Sequence, residues 1–272
     1  MGVRIKRPTA RGAWRTIGWP MVVLSVVFAI AVGAVVVAAQ RDKDARALAA
    51  ELAPKPTAAP ATATTPTPDA QTRTRRVVVI GDSYTGGSDE GGRGKNGWAK
   101  LVEQQLDESG MPTYVTVAAM GGIGYAATND GINFAQIARR VADTESLQDA
   151  DAVVVFGSRN DITYPAGGVA DAARQTFATI QEGLPDAKLI VIGPEWQSET
   201  PPAQLLVLRD AVAAEAVVAG AEFVDALTGQ WFTRAEPDLI GRDGIHPTDA
   251  GHRKLASVIY PVIRSALEEQ PQ

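Results

Sequence analysis

The sequence predicts a single three-layer α/β/α domain, with helices on both faces of a five-stranded parallel sheet, and three observations carry that expectation. Five short runs rich in β-branched residues recur between positions 75 and 224, the pattern of strands buried on both faces. Segments with helical spacing of apolar residues alternate with them, as a parallel sheet requires. The residues with unusual chemistry follow directly on these runs, at the carboxyl ends of strands, where such sheets hold their ligands.

In chain order, the strands are read at Arg75 to Ile80, Tyr114 to Ala118, Ala152 to Phe156, Lys188 to Ile192 and Glu222 to Val224. Helices are read at Gly97 to Ser109, Val169 to Gly183, Ala203 to Ala219 and Thr248 to Glu268, and Asp143 falls in a polar helical stretch. No internal repeat is visible. The chain has 272 residues, 45% of them hydrophobic and 21% charged, which is ordinary for a globular protein and excludes a wholly disordered chain or a multi-span membrane protein. A net charge of −5 supplies no basic field for phosphates, so no nucleic-acid partner is expected. Without cysteine there is no disulfide framework, thiolate nucleophile or Cys-ligated metal.

The domain is expected over residues 73–272. Residues 1–19 form a basic leader with Arg4, Lys6, Arg7, Arg11 and Arg15 and no acid. Residues 20–39 read as a transmembrane helix or signal anchor, since Met21 to Ala39 carries no charge and approaches the roughly 20 apolar residues that cross a bilayer. The excess of positive charge before the span places the N-terminus in the cytoplasm and the rest outside. Val37 and Ala39 are small enough for a peptidase to cut before Gln40, which would release a secreted protein. Residues 40–72 are a Pro/Thr/Ala-rich linker, with Pro54, Pro56, Pro60, Pro66 and Pro68 preventing a packed core.

The first strand ends in Gly81-Asp82-Ser83-Tyr84-Thr85, the third in the segment Gly157 to Asp161, and the loop before the last helix reads Asp243-Gly244-Ile245-His246-Pro247. A serine hydroxyl is a poor nucleophile until a base takes its proton, and His246 is one of two histidines in the chain. Asp243, three residues earlier, can orient the ring as in a Ser-His-Asp triad. Donors for an oxyanion are available from the Ser83 amide, the Asn160 side chain and a backbone amide of the turn Gly121-Gly122-Ile123-Gly124. Protonation of His246 at low pH should silence such a site.

Each piece also has a plainer reading. Asp82 reads as a turn residue bonding local amides, and Asp161 as a cap for the segment that follows it. His252, at the start of the last helix, reads as structural. Gly122 to Ala127 fits a G-x-G-x-x-A pattern, yet it follows the second strand and no acidic strand end lies about twenty residues on, so a dinucleotide site is not expected. A metal hydrolase built on Asp82, Asp161, Asp243 and His246 would leave Ser83 without a purpose.

Taken together, Gly81-Asp82-Ser83, the glycine turn after the second strand, Gly157 to Asp161 with its Asn-Asp pair, and Asp243 to Pro247 resemble the SGNH or GDSL-type hydrolases over roughly 73–272. The resemblance implies a flavodoxin-like α/β/α fold and an acyl-enzyme formed on Ser83, with His246 and Asp243 activating it. It places Ser83, Gly122 and Asn160 in the oxyanion hole, with Gly121 the alternative to Gly122, and the asparagine often seen before that glycine is absent here. It implies no cofactor and no metal. The expected function is an outward-facing, membrane-anchored serine esterase acting on a small acyl ester or an O-acylated glycan or lipid, with a monomeric catalytic domain. Acyl transfer to a sugar hydroxyl would use the same residues, and a non-catalytic envelope-binding module should have lost Ser83, Asn160 or His246. The segment Gly86 to Gly97, with Trp196 beyond the fourth strand, is expected to line the acceptor side.

Overall fold

The computed structural model describes residues 73–157 and 159–270. The leader, membrane span and linker expected over 1–72 lie outside these residues. Among the described residues, no helix is long and apolar enough to cross a membrane.

Strands β1 (Arg75–Gly81), β2 (Thr113–Ala119), β3 (Ala152–Phe156), β4 (Lys188–Ile192) and β5 (Glu222–Val224) form one sheet in the order β2-β1-β3-β4-β5, parallel throughout. The helices are α1 (Ser83–Gly86), α2 (Trp98–Glu108), α3 (Phe134–Ala142), α4 (Ala166–Gly183), α5 (Ala203–Val218) and α6 (Asp249–Glu268). The strand and long-helix expectations hold to within a few residues. Helix α3, read only as a polar helical stretch, buries Phe134, Ile137, Ala138 and Val141, an apolar stripe at helical spacing, and Asp143 is its C-cap.

The period of two in a strand sends alternate side chains to opposite faces, and this divides the core into two layers. Val78, Ile80, Val153, Val155 and Val191 pack with α3, α4 and α5, including Ile137, Phe177 and Leu208. Val77, Val79, Val154, Phe156 and Ile192 pack with α2 and α6, including Trp98, Val102, Leu255 and Ile259. Both faces being covered explains why the strands read as unbroken apolar runs. After β2 the chain crosses back over β1 to add β3, so the carboxyl ends of β1 and β3 flank the reversal in strand order where such sheets leave a crevice.

The segment between α1 and α2 is stitched to the end of the chain. Gly92 N–H and Asn96 Nδ2 donate to the two oxygens of Asp249, at 2.8 and 3.0 Å, and Trp98 N–H donates to Nδ1 of the fully buried His252 at 3.3 Å. His252 therefore has the structural role expected of it. Burial holds its imidazole down at about 4, so it is neutral in the fold. Because the unfolded chain takes up a proton at about 6.5, stability is lost as pH falls from there toward 4.

Gly92 sits against that ring with φ of +77°, and a Cβ there would lie 1.9 Å from His252 Nε2. Gly92→Ala is expected to lower Tm by roughly 5–10 °C. Gly167→Ala, in α4 with no atom within 4 Å of the added Cβ, should leave Tm unchanged or raise it slightly. Thermal unfolding of the two variants side by side checks this, and an unchanged Tm for Gly92→Ala would contradict the packing.

Candidate active site

At the end of β1 the backbone leaves the sheet and enters α1, whose N-cap is Asp82; its Oδ1 accepts the N–H of Tyr84 at 2.9 Å. Ser83 is thereby the first residue of α1, half-buried at the strand end. Its own N–H has no acceptor among the described residues, as the first turn of a helix dictates. The loop carrying Asp243 and His246 is closed by a bridge between Ile240 and Pro247, with Gly241 N–H donating to His246 C=O at 2.8 Å. Outside it, Glu90 Oε2 accepts the Arg242 N–H at 3.0 Å.

Within that loop Asp243 Oδ1 accepts the N–H groups of Ile245 and His246 at 2.8 and 2.9 Å, and His246 Nδ1 lies 2.6 Å from Oδ2. His246 Nε2 lies 3.0 Å from Ser83 Oγ. Burial pushes the Asp243 carboxyl up, but the bonds from the His246 ring and the two backbone N–H groups outweigh it and hold the group below the usual carboxylate range. An ionised Asp243 fixes the tautomer: Nδ1 carries the hydrogen, and the Nε2 lone pair faces the serine hydroxyl.

Asp161 is fully buried, and its side chain does not cap the segment that follows it, as the sequence suggested. It reaches back to the loop after β2, where Oδ2 accepts the N–H of Tyr125 at 2.9 Å and Oδ1 those of Ala126 and Ala127 at 2.9 and 2.7 Å. A buried carboxylate needs donors, and three consecutive backbone amides supply them. The close approach explains Gly124, where a Cβ would come within 2.5 Å of the carboxylate. The loop so folded leaves Gly122 exposed, and neither its N–H nor that of Gly121 has an acceptor among the described residues, while the Gly121 carbonyl accepts from Asn129 Nδ2 at 2.9 Å.

Asn160 is brought to the same place with its amide already engaged. Nδ2 donates to Asp82 Oδ2 at 2.9 Å and to the Ile123 carbonyl at 2.8 Å. The Ser83 and Gly122 amides are thus free, and Asn160 can turn to a new acceptor only by releasing one of these two. Asp82 does the local turn work expected of it and also holds Asn160.

A group of side chains beside the site carried no spacing signal. Tyr84 Oη donates to the Ile245 carbonyl at 2.5 Å and accepts from Arg159 Nη1 at 3.3 Å. Arg159 Nη1 also donates to Gln197 Oε1 at 2.8 Å, and the guanidinium stacks 4.5 Å from the Trp196 ring. Trp196 therefore stands beyond β4 as expected, with Arg159 on its ring. Glu195 is fully buried with neither oxygen hydrogen-bonded, 4.0 Å from Arg159 Nη1. Burial pushes Glu195 up to about 7, against the pull of Arg159. Burial, together with the charge of Glu195, pushes Asp82 up to about 8. Among the described residues no three His, Asp or Glu side chains are grouped to hold a metal ion.

Chemically, a serine hydroxyl facing an oriented imidazole, beside free backbone amides, is equipped for acyl transfer. The model of the GDSL-like lipase/acylhydrolase family matches residues 79–254. The GDSL lipase Rv0518 of Mycobacterium tuberculosis is 42% identical over 196 residues, covering 70% of this chain and 82% of that one. Among solved structures, the psychrotrophic esterase EstA from Pseudoalteromonas sp., inhibited by monoethylphosphonate, is similar with a TM-score of 0.57 at 14% identity, over 72% of this chain and 100% of that one. A family two carbohydrate esterase from Clostridium thermocellum, in complex with cellohexaose, gives 0.56 at 17% identity, over 76% of this chain and 67% of that one.

The raised Glu195 has a consequence for stability. The folded protein keeps a proton on Glu195 that the unfolded chain releases from about 4.5, so stability falls as pH rises from there through about 7. Glu195→Gln removes that loss. Its Tm is expected to match the wild type near pH 4.5 and to exceed it by a few degrees at pH 8, whereas parallel melting curves across that range would contradict a buried, protonated carboxyl.

Proposed function

The chain belongs to the GDSL-like lipase/acylhydrolase family and hydrolyses ester bonds, and from that premise we propose that it is an extracytoplasmic serine esterase that passes the acyl group through Ser83. The observation that carries the reading is the unbroken chain from Ser83 Oγ to His246 Nε2, 3.0 Å, and from His246 Nδ1 to Asp243 Oδ2, 2.6 Å.

His246 takes the hydroxyl proton as Ser83 Oγ attacks the ester carbonyl, and Asp243 stabilises the imidazolium that forms. The negative charge on the carbonyl oxygen falls to the free N–H groups of Ser83 and Gly122. Asn160 joins them by giving up its bond to Asp82, a bond that a protonated Asp82 accepts less well. The alcohol departs with the proton held by His246, leaving an acyl-serine. Water then attacks the acyl carbon as His246 takes its proton, and Ser83 is restored.

The substrate of this reading is a short acyl ester on a cell-envelope glycan or lipid. It is supported by the basic leader, uncharged span and Pro-rich linker of residues 1–72, which would hold the domain outside the cytoplasmic membrane. Carbohydrate esterases share the fold, which is an analogy of architecture.

The direct test is hydrolysis of 4-nitrophenyl acetate by the full chain. The wild type is expected to release 4-nitrophenol, and Ser83→Ala and His246→Ala to reduce kcat at least about a thousandfold with Tm preserved. Equal rates for Ser83→Ala and the wild type would overturn the assignment of the nucleophile.

A further inference from the structure

Arg159 has no part in the acyl transfer just described, yet it stands beside it. It immediately precedes Asn160, whose amide bonds Asp82 next to Ser83. Its guanidinium is fixed in position by three contacts: Nη1 donates to Tyr84 Oη and Gln197 Oε1, and the Trp196 ring lies 4.5 Å from the guanidinium carbon. All the protein hydrogen bonds fall on Nη1. Nε and Nη2 are neither bonded to protein nor sealed off from solvent among the described residues, so one edge of the fork is held still and left open.

A purely structural arginine would close on its carboxylate. Here Glu195 stands 4.0 Å from Nη1 with both oxygens unbonded, too far for the bidentate pairing that makes such pairs strong. Burial pushes Glu195 up to about 7 and Asp82 up to about 8, so in weakly acidic solution neither cancels the guanidinium charge. The open edge presents two parallel N–H groups from a side chain 12% exposed, a geometry and a setting suited to a planar carboxylate.

The bonds also say which part of an ester meets that edge. Tyr84 Oη accepts from Arg159 and donates to the carbonyl of Ile245, the residue before His246, which puts Arg159 on the His246 side of Ser83. His246 is the group that returns a proton to the departing alcohol. We propose that Arg159 receives a carboxylate carried by the alcohol part of the substrate, so that the ester is an O-acylated hydroxy acid, an acidic sugar among them. This rests on the esterase reading above and names the substrate class for that same site.

The test compares two acetate esters of equal size on the full chain, 4-acetoxybenzoate and 4-acetoxybenzamide, with 4-nitrophenyl acetate as the reference. The wild type is expected to favour the benzoate by about tenfold or more in kcat/KM, although the amide is the more electron-withdrawing substituent and the intrinsic bias runs the other way. Arg159→Gln should bring the ratio to about one, and Arg159→Lys, a charge without the fork, should keep only part of it. Because Arg159→Gln strips Glu195 of its nearest cation, the double variant Arg159→Gln with Glu195→Gln is measured beside it, and its ratio should collapse equally. In the wild type 4-hydroxybenzoate should inhibit 4-nitrophenyl acetate hydrolysis more strongly than 4-hydroxybenzamide. A wild-type ratio near one, with equal inhibition by acid and amide, overturns the carboxylate site and leaves the esterase standing. Hydrolysis of none of the three esters overturns both.

Discussion

The site depends on one interaction: Asp243, Asp161 and Asp82 take hydrogen bonds from the backbones of the loops that carry the chemistry. Asp243 takes the N–H groups of Ile245 and His246 and so shapes the loop that presents its own imidazole partner. Asp161 gathers three consecutive amides and folds the loop that exposes Gly122. Asp82 caps the turn of Ser83 and holds the amide of Asn160. Loops are ordinarily the mobile part of an α/β protein, and a carboxylate bonded to several of their amides removes that freedom where a reacting geometry has to be kept.

These carboxyls are not in one electrical state, and the difference follows from their surroundings. Asp243, rich in donors, stays ionised and supports a cationic imidazole. Asp82 and Glu195, fully buried, are pushed toward the neutral form. Opposite settings for similar groups within one site are how a single fold carries acid, base and binding roles at the same pH. Where Glu195 and Asp82 keep their protons, the charge of Arg159 is left uncancelled beside the ester, which ties the electrostatics of the core to the choice of substrate.

The sheet was legible in the sequence because both faces of it are buried, so β1, β3 and β4 appear as apolar β-branched runs that nothing else in the domain imitates. Helix α3 was harder to read, since Gln136, Arg139 and Arg140 interrupt the buried stripe of Phe134, Ile137, Ala138 and Val141. Asp243 and His246 could be paired from the sequence because they stand three positions apart, and Ser83 because it follows a strand at a glycine turn. The roles of Asp161, Arg159 and Glu195 could not. Asp161 meets Tyr125, Ala126 and Ala127 across 34 to 36 positions, and Glu195 meets Arg159 across a helix and a strand. Contacts made only by tertiary packing leave no local spacing, and an isolated Arg or Glu after a strand looks like any surface charge.

The central claim is that Ser83, activated by His246, forms the covalent intermediate. It is tested most directly by incubating the full chain with a 4-nitrophenyl alkylphosphonate and locating the adduct by peptide mass spectrometry. The account predicts release of one equivalent of 4-nitrophenol and a single adduct on the peptide containing Ser83, formed far more slowly when His246 is replaced by alanine. An adduct on another residue, or labelling of Ser83 at the same rate without His246, would contradict it.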